Sequence, residues 1–239
     1  MEPTETIIDG LWHVRGADFP MPFGARLPLH SPLVRLRDGG LLLYAPASFD
    51  EAAWRRIAAL GTVQHVVAPN LFHSSFVAAA LARWPGATLH GPAGLAAKRP
   101  DLPPLHALDD GASPWPGDLD VLPILGAPAA GEILLFHRAS GALLCADLLF
   151  HVTAPANLAT RIVMSLMGAG GGRLAQSRIW RFLVRDRAAA RASLDELLAL
   201  PVKCVLPSHG PSVAIGAQEL APLLARAYGG APPVPEAVH

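Results

Sequence analysis

Short apolar runs, each closed by a turn signal, alternate along the chain with longer stretches whose apolar positions recur every three or four residues. The first kind predicts strands and the second predicts helices. Residues 5–15 ("ETIIDGLWHVR") read as a strand pair turning at Asp9 and Gly10, and residues 16–30, rich in Pro and Gly, as a loop. Residues 31–48 read as a hairpin with Asp38, Gly39 and Gly40 in its turn. Residues 49–60 predict a helix with Ser48 as N-cap and Glu51 in a capping box. A strand at 63–69, a helix at 74–83 and a short strand at 87–90 follow, then connecting chain at 98–118. Strands at 119–125, 132–137 and 142–146 come next, the last two joined by a turn at Ala139, Ser140 and Gly141.

Residues 151–185 depart from this rhythm. Two amphipathic patterns flank "MGAGGG" at 167–172, which predicts a helical insert with a flexible joint. A helix at 186–200, a strand at 202–206 and a helix at 217–228 complete the pattern, and the Pro-rich residues 230–239 read as a frayed tail. Strands and helices in this alternation predict an α/β sandwich, with helices on the outer faces of the sheets, in one domain spanning residues 1–239.

Three of the apolar runs end in the same way. "VVAPNLFHSSF" at 66–76 places His73 just past a strand, "ALLCADLLF" at 142–150 does so with Asp147, and "KCVLPSHG" at 203–210 with His209. Loops past strand ends can meet at one edge of a sandwich. Two imidazoles and a carboxylate suit zinc, iron or manganese and leave coordination positions open. Each residue alone reads more simply, a strand-end His as a surface or capping residue and a strand-end Asp as a turn residue.

Glu132 begins a strand after Gly131 and is a candidate general base or extra ligand, against the simpler reading of an exposed strand-end Glu. Asn70 reads as a helix cap. His30 and His151 read as loop histidines and Ser208 as a turn residue, since no G-x-S-x-G surrounds it. "GAGGG" follows a helical pattern, not a strand, so it is no dinucleotide fingerprint.

Composition narrows the function. The formal net charge is zero over 239 residues, which argues against nucleic acid. A group of arginines at 173, 178, 181, 185, 187 and 191 reads as a solvated helix face. No apolar run reaches the roughly 18 residues of a membrane span, so no membrane partner is expected. The N-terminal segment lacks the basic and apolar regions of a signal peptide, and Cys145 and Cys204 sit inside apolar runs as free thiols. These features predict a cytoplasmic protein.

The order of segments resembles the metallo-β-lactamase superfamily over residues 5–215. "DGLWHV" resembles its opening strand pair, "SPLVRLRDGGLLL" its hairpin, "GALLCADLLF" its strand ending in a bridging aspartate, and "VLPSHG" its late strand ending in a histidine. "APNLFH", "GEILLFH" and "LPSHG" together resemble an uncharacterised branch of that superfamily. The resemblance implies a four-layer αββα sandwich. If His73 is aligned with the last histidine of the family's H-x-H-x-D-H motif, the other ligand positions fall on Ala68, Asn70 and Phe72. The mid-chain histidine is replaced near Gly126. The resemblance thus implies that one metal site is erased and that a second keeps His73 and His209, with Asp147 as the former bridging ligand.

Two readings follow. One is a hydrolase with at most one zinc, iron or manganese ion, acting on a small ester, thioester, lactone or phosphate, with water oriented by Asp147 or Glu132. Residues 16–30 and 151–185 would then shape its pocket. The other is an inactive protein of the same fold that binds a ligand or partner, its three polar residues forming a hydrogen-bonded cluster. An iron oxygenase fits the ligand set alone. The insert at 151–185 is open as a lid, a homodimer arm or a partner site.

Overall fold

The structure, a computed structural model, describes residues 5–228. Strands β1 (Glu5–Ile8) and β2 (Leu11–Arg15) pair antiparallel. Within the predicted loop, β3 (Phe19–Pro20) and β4 (Arg26–Leu27) form a small ribbon around a 3-10 turn at Pro22–Gly24. The hairpin β5 (His30–Arg35) and β6 (Leu41–Tyr44) follows. Then come α1 (Glu51–Leu60), β7 (Val63–Val67), α2 (Val77–Arg83), β8 (Thr88–Gly91), α3 (Gly94–Lys98) and β9 (Leu105–Ala107). The second half holds β10 (Leu119–Pro123), β11 (Ile133–His137), β12 (Ala142–Cys145), α4 (Leu158–Met167) and α5 (Trp180–Leu183). It closes with α6 (Arg187–Leu198), β13 (Cys204–Pro207), β14 (Val213–Ala214) and α7 (Ala217–Tyr228).

The strands make one seven-stranded sheet, ordered β1-β2-β5-β6-β7-β8-β9, and one five-stranded sheet, ordered β10-β11-β12-β13-β14. Both faces of β6 are buried, so its run carries no polar alternation. Leu41 and Leu43 pack outward with Trp54 and Ile57 of α1, while Leu42 and Tyr44 point inward to meet Ile133, Leu135 and Leu144 of the other sheet. On the far side, Leu194 and Leu197 of α6 and Leu220 and Leu224 of α7 cover Leu143 and Val205. The layers are helix, sheet, sheet, helix, as predicted. Tyr44, fully buried, crosses the central layer and donates its hydroxyl to the Ile133 carbonyl at 2.8 Å.

Local details differ from the sequence reading. The N-cap of α1 is Asp50, whose Oδ1 accepts the Ala53 N–H at 2.7 Å. Glu51 is therefore the first helical residue, and no capping box forms. The helix predicted from residue 74 starts at Val77, because residues 71–76 are wound into turns. The strands β3, β4, β9 and β14 and the one-turn α3 lie in stretches read as irregular. The insert forms α4 and α5, with Asn157 capping α4 through the Thr160 N–H and Gly168 ending it in the left-handed conformation. Residues 230–239 lie outside the described residues.

Candidate metal centre

Strand register builds the site. Strands β12 and β13 run parallel with Cys145 opposite Pro207, so Asp147 and His209, each two residues further on, leave adjacent strand ends together. Gly210 must follow: its φ is +127°, and a Cβ there would collide with the His151 carbonyl. His73 arrives from the turns after β7. Its Nε2 lies 3.0 Å from His209 Nε2 and 3.4 Å from Asp147 Oδ2, and His209 Nε2 lies 3.1 Å from Asp147 Oδ1. The three residues predicted to converge do so.

The remaining contacts set the chemistry of these atoms. His209 Nδ1 faces the Pro28 carbonyl at 3.2 Å, and that ring stacks on Phe150 with centroids 4.8 Å apart. The carbonyl assigns the Nδ1 proton, leaving the Nε2 lone pair directed at the site. Asn70, fully buried, donates Nδ2–H to Asp147 Oδ2 at 2.8 Å. Its Oδ1 accepts the backbone N–H groups of Phe72 and His73, both at 2.8 Å, which shapes the turn that presents His73. The expected helix cap is not what forms: α2 begins at Val77 after Phe76, with no side-chain cap, and Asn70 closes the turn before it while also bonding Asp147. Trp180 of α5 donates Nε1–H to the Asp147 carbonyl.

Glu132 is not the exposed strand-end residue expected. It is fully buried, with Oε1 accepting the N–H groups of Ala146 (2.9 Å) and Leu148 (3.0 Å). Its Oε2 accepts the Asp147 N–H (3.1 Å) and Asn70 Nδ2–H (3.3 Å). With both oxygens occupied behind Asp147, it does not line the cavity into which Asp147, His73 and His209 face. His30 is buried, its ring 4.8 Å from that of His13. His151 Nδ1 pairs with the Pro211 carbonyl at 2.9 Å, and Ser208, buried, bonds the Cys145 carbonyl at 3.3 Å; none of these three lines the pocket.

Burial opposes ionisation of Asp147, yet the charge on His73 and the close imidazoles of His209 and His73 hold it well below the usual carboxylate range. Burial also opposes a charged His73, but Asp147 and Glu132 outweigh it and its pKa is raised. His209 is lowered by burial, with His73 adding to the effect against Asp147. Burial and the Asp147 charge push Glu132 up to about 7, against the backbone donors of Leu148 and Ala146.

The site opens into a cavity of about 160 Å³. Asp147, His73 and His209 form its polar end, and Phe19, Met21, Leu27, Leu29, Phe72 and Phe76 supply most of its wall. Residues 16–30 thus shape it as expected. Residues 151–185 do not line it; α4 packs behind, with Met164 against Leu27 and Phe150.

The fold is that of the metallo-β-lactamases. The metallo-β-lactamase FIM-1 from Pseudomonas aeruginosa, in its mono-zinc form, superposes with a TM-score of 0.63 at 16% identity, over 95% of this chain and 94% of that one. A metallo-β-lactamase from Pontibacter korlensis gives 0.64 at 16% identity, over 95% and 99%. The flavodiiron protein from Giardia intestinalis gives 0.65 at 16% identity, over 95% of this chain and 59% of its own. No family model matches the sequence, and no curated protein matches it.

A metal ion is implied by such neighbours, and the donors fit one. A tetrahedral ion with bonds of about 2.0–2.1 Å sets its donors roughly 3.3–3.4 Å apart. Here the two imidazole nitrogens lie 3.0 Å apart, Asp147 reaches His73 through Oδ2 at 3.4 Å and His209 through Oδ1 at 3.1 Å, and one donor atom from each residue can be chosen with all three within 4.8 Å of one another. With the His209 proton on Nδ1, its Nε2 and Asp147 Oδ1 are two acceptors facing each other at 3.1 Å. A cation bound by both would relieve that repulsion.

Proposed function

We propose that this protein is a metal-dependent hydrolase with one ion held by His73, Asp147 and His209, acting on a small neutral ester, thioester or lactone. The observation that carries the reading is the convergence of His209 Nε2 and Asp147 Oδ1, both acceptors when the His209 Nδ1–H donates to the Pro28 carbonyl. Zinc, iron or manganese suits the donor set and would supply Lewis acidity and a more acidic water.

The chain's own residues do the rest. Pro28 and Phe150 fix the plane and tautomer of His209. Glu132 is a positioning residue: by gathering the N–H groups of residues 146–148 it fixes the direction of the Asp147 side chain. Asp147, the one carboxylate in the cavity wall, orients an attacking water by accepting its hydrogen bond. The phenylalanines exclude bulk water and hold the apolar part of the substrate. No Lys or Arg lines the cavity, which disfavours phosphates and other anions. Its volume of about 160 Å³ suits a short acyl or aryl group, since an apolar cavity of roughly 150 Å³ accommodates benzene. The two free thiols suit a reducing compartment such as the cytoplasm.

A ligand-binding protein without catalysis is the second reading. The observation in its favour is that, with the His209 proton on Nε2 in place of Nδ1, Asp147 has a donor at each oxygen, Asn70 on Oδ2 and His209 on Oδ1. The two part in a kinetic test with p-nitrophenyl butyrate, a butyryl thioester and p-nitrophenyl phosphate, using protein loaded with zinc or manganese. The hydrolase reading expects turnover of the acyl substrates but not the phosphate, falling at least a hundredfold in His73→Ala/His209→Ala. Equal rates in the double variant would leave only the binding reading.

A further inference from the structure

We infer that residues 151–185, together with Phe23, form a docking face for an anionic lipid surface, with the headgroup phosphate received by Arg173, Arg178 and Arg181. This inference is independent of the hydrolase reading.

Charge is the first observation. Residues 151–185 hold five arginines and no acidic residue, in a chain whose formal charge is zero. The arginine group read as one solvated helix face is divided in the structure. Arg187 and Arg191 lie on α6, whereas Arg173, Arg178 and Arg181 line a cavity of about 320 Å³ beside Gly168 and Gly170. No carboxylate lines it, and none of the three arginines has an ion pair among the described residues. Three guanidinium groups around one open hollow match a phosphate, which they can hold with paired hydrogen bonds.

Apolar exposure is the second observation. Leu158, Ile162 and Leu166 are spaced by four residues on α4 and are 59%, 51% and 70% exposed. Ile179, at the N-cap of α5, and Phe182 on it are exposed as well, at 46% and 76%. Arg178 ties the two helices, its N–H bonding the Met167 carbonyl at 2.7 Å. At the other end of α4, Asn157 Nδ2 bonds the Gly24 carbonyl at 3.0 Å, which sets Phe23 beside the helix. Phe23 is 93% exposed and held at φ +60°, a left-handed conformation unfavourable for an aromatic residue. An apolar helix face flanked by arginines is the pattern of a helix lying in a lipid headgroup layer.

A second copy of the chain is a poorer occupant, because an isologous contact would set these arginines against their own copies. The expectation of no membrane partner rested on span length. No described helix is long and apolar enough to cross a membrane, and association with one leaflet needs no span. The ribbon beside Phe23 also gives Phe19, Met21 and Leu27 to the cavity that holds His73, Asp147 and His209, so adsorption there would bring the cavity wall to the lipid.

The test is flotation of the full chain with vesicles of phosphatidylcholine alone, or of two parts phosphatidylcholine to one part phosphatidylglycerol. The expected result is binding to the mixed vesicles only, weakened roughly tenfold or more in Arg173→Gln/Arg181→Gln and in Ile162→Ser/Leu166→Ser. These residues are exposed, and circular dichroism checks that each variant folds. Inorganic phosphate at millimolar concentration should not displace the protein; displacement would identify a free-phosphate site and overturn the lipid assignment. No binding to mixed vesicles, equal binding to both kinds, or a dimer abolished by Ile162→Ser/Leu166→Ser without vesicle binding would overturn it as well.

Discussion

Asn70 Nδ2 donates to Asp147 Oδ2 at 2.8 Å, a bond between residues 77 positions apart that joins the ends of the two sheets. The same side chain holds the turn that presents His73, so one buried amide sets the relation between two of the three candidate ligands.

Asn70→Ala should therefore destabilise the fold by about 2–3 kcal/mol, since it leaves two backbone donors without their acceptor and removes a donor from Asp147. Urea unfolding followed by tryptophan fluorescence measures this. A loss under about 0.5 kcal/mol would mean that water replaces the amide.

Glu132→Ala strips the acceptor from three buried backbone N–H groups and Asn70. The expected cost is about 3 kcal/mol or more, and about 1–2 kcal/mol for Glu132→Gln, which keeps one accepting oxygen. Turnover abolished in Glu132→Gln beyond what its loss of stability explains would mark Glu132 as a base instead.

Tyr44→Phe removes the hydroxyl bond to Ile133 and leaves a fully buried carbonyl. A loss of about 1 kcal/mol in chemical denaturation is expected, with the fold retained.

The main strands and the sandwich class were legible in the sequence because runs such as residues 41–44 and 142–145 are buried on both faces and stay apolar throughout. Elements of two or three residues, such as β3, β4, β9 and β14, are too short to show a period. His73, Asp147 and His209 were legible because each follows a strand end, and loops there gather at one edge. Their partners were not. Pro28 and Phe150 reach His209, and Asn70 reaches Asp147, through sheet register and chain crossing that no local pattern encodes. Glu132 looked exposed because it opens a strand after a glycine; its burial arises from residues 146–148 folding over it.

Burial lowers the pKa of His13 to about 3, and both its ring nitrogens lack a hydrogen-bond partner. In the unfolded chain it titrates near 6.5, so below that pH the unfolded state binds a proton that the folded state refuses. Its contribution to stability is full above about pH 6.5, is lost as pH falls, and levels off near pH 3. The slope for this one group approaches 1.4 kcal/mol per pH unit. Denaturation of His13→Phe at pH 8 and pH 5 should show a smaller loss on acidification than in the parent protein. An equal loss would place the acid sensitivity elsewhere.

The central claim is that His73, Asp147 and His209 hold an ion. Elemental analysis of protein purified without affinity tag or chelator, beside His73→Ala/His209→Ala, tests it most directly. The account predicts roughly one equivalent of zinc, iron or manganese per chain, absent from the double variant. Metal-free protein that also fails to take up added zinc would contradict it.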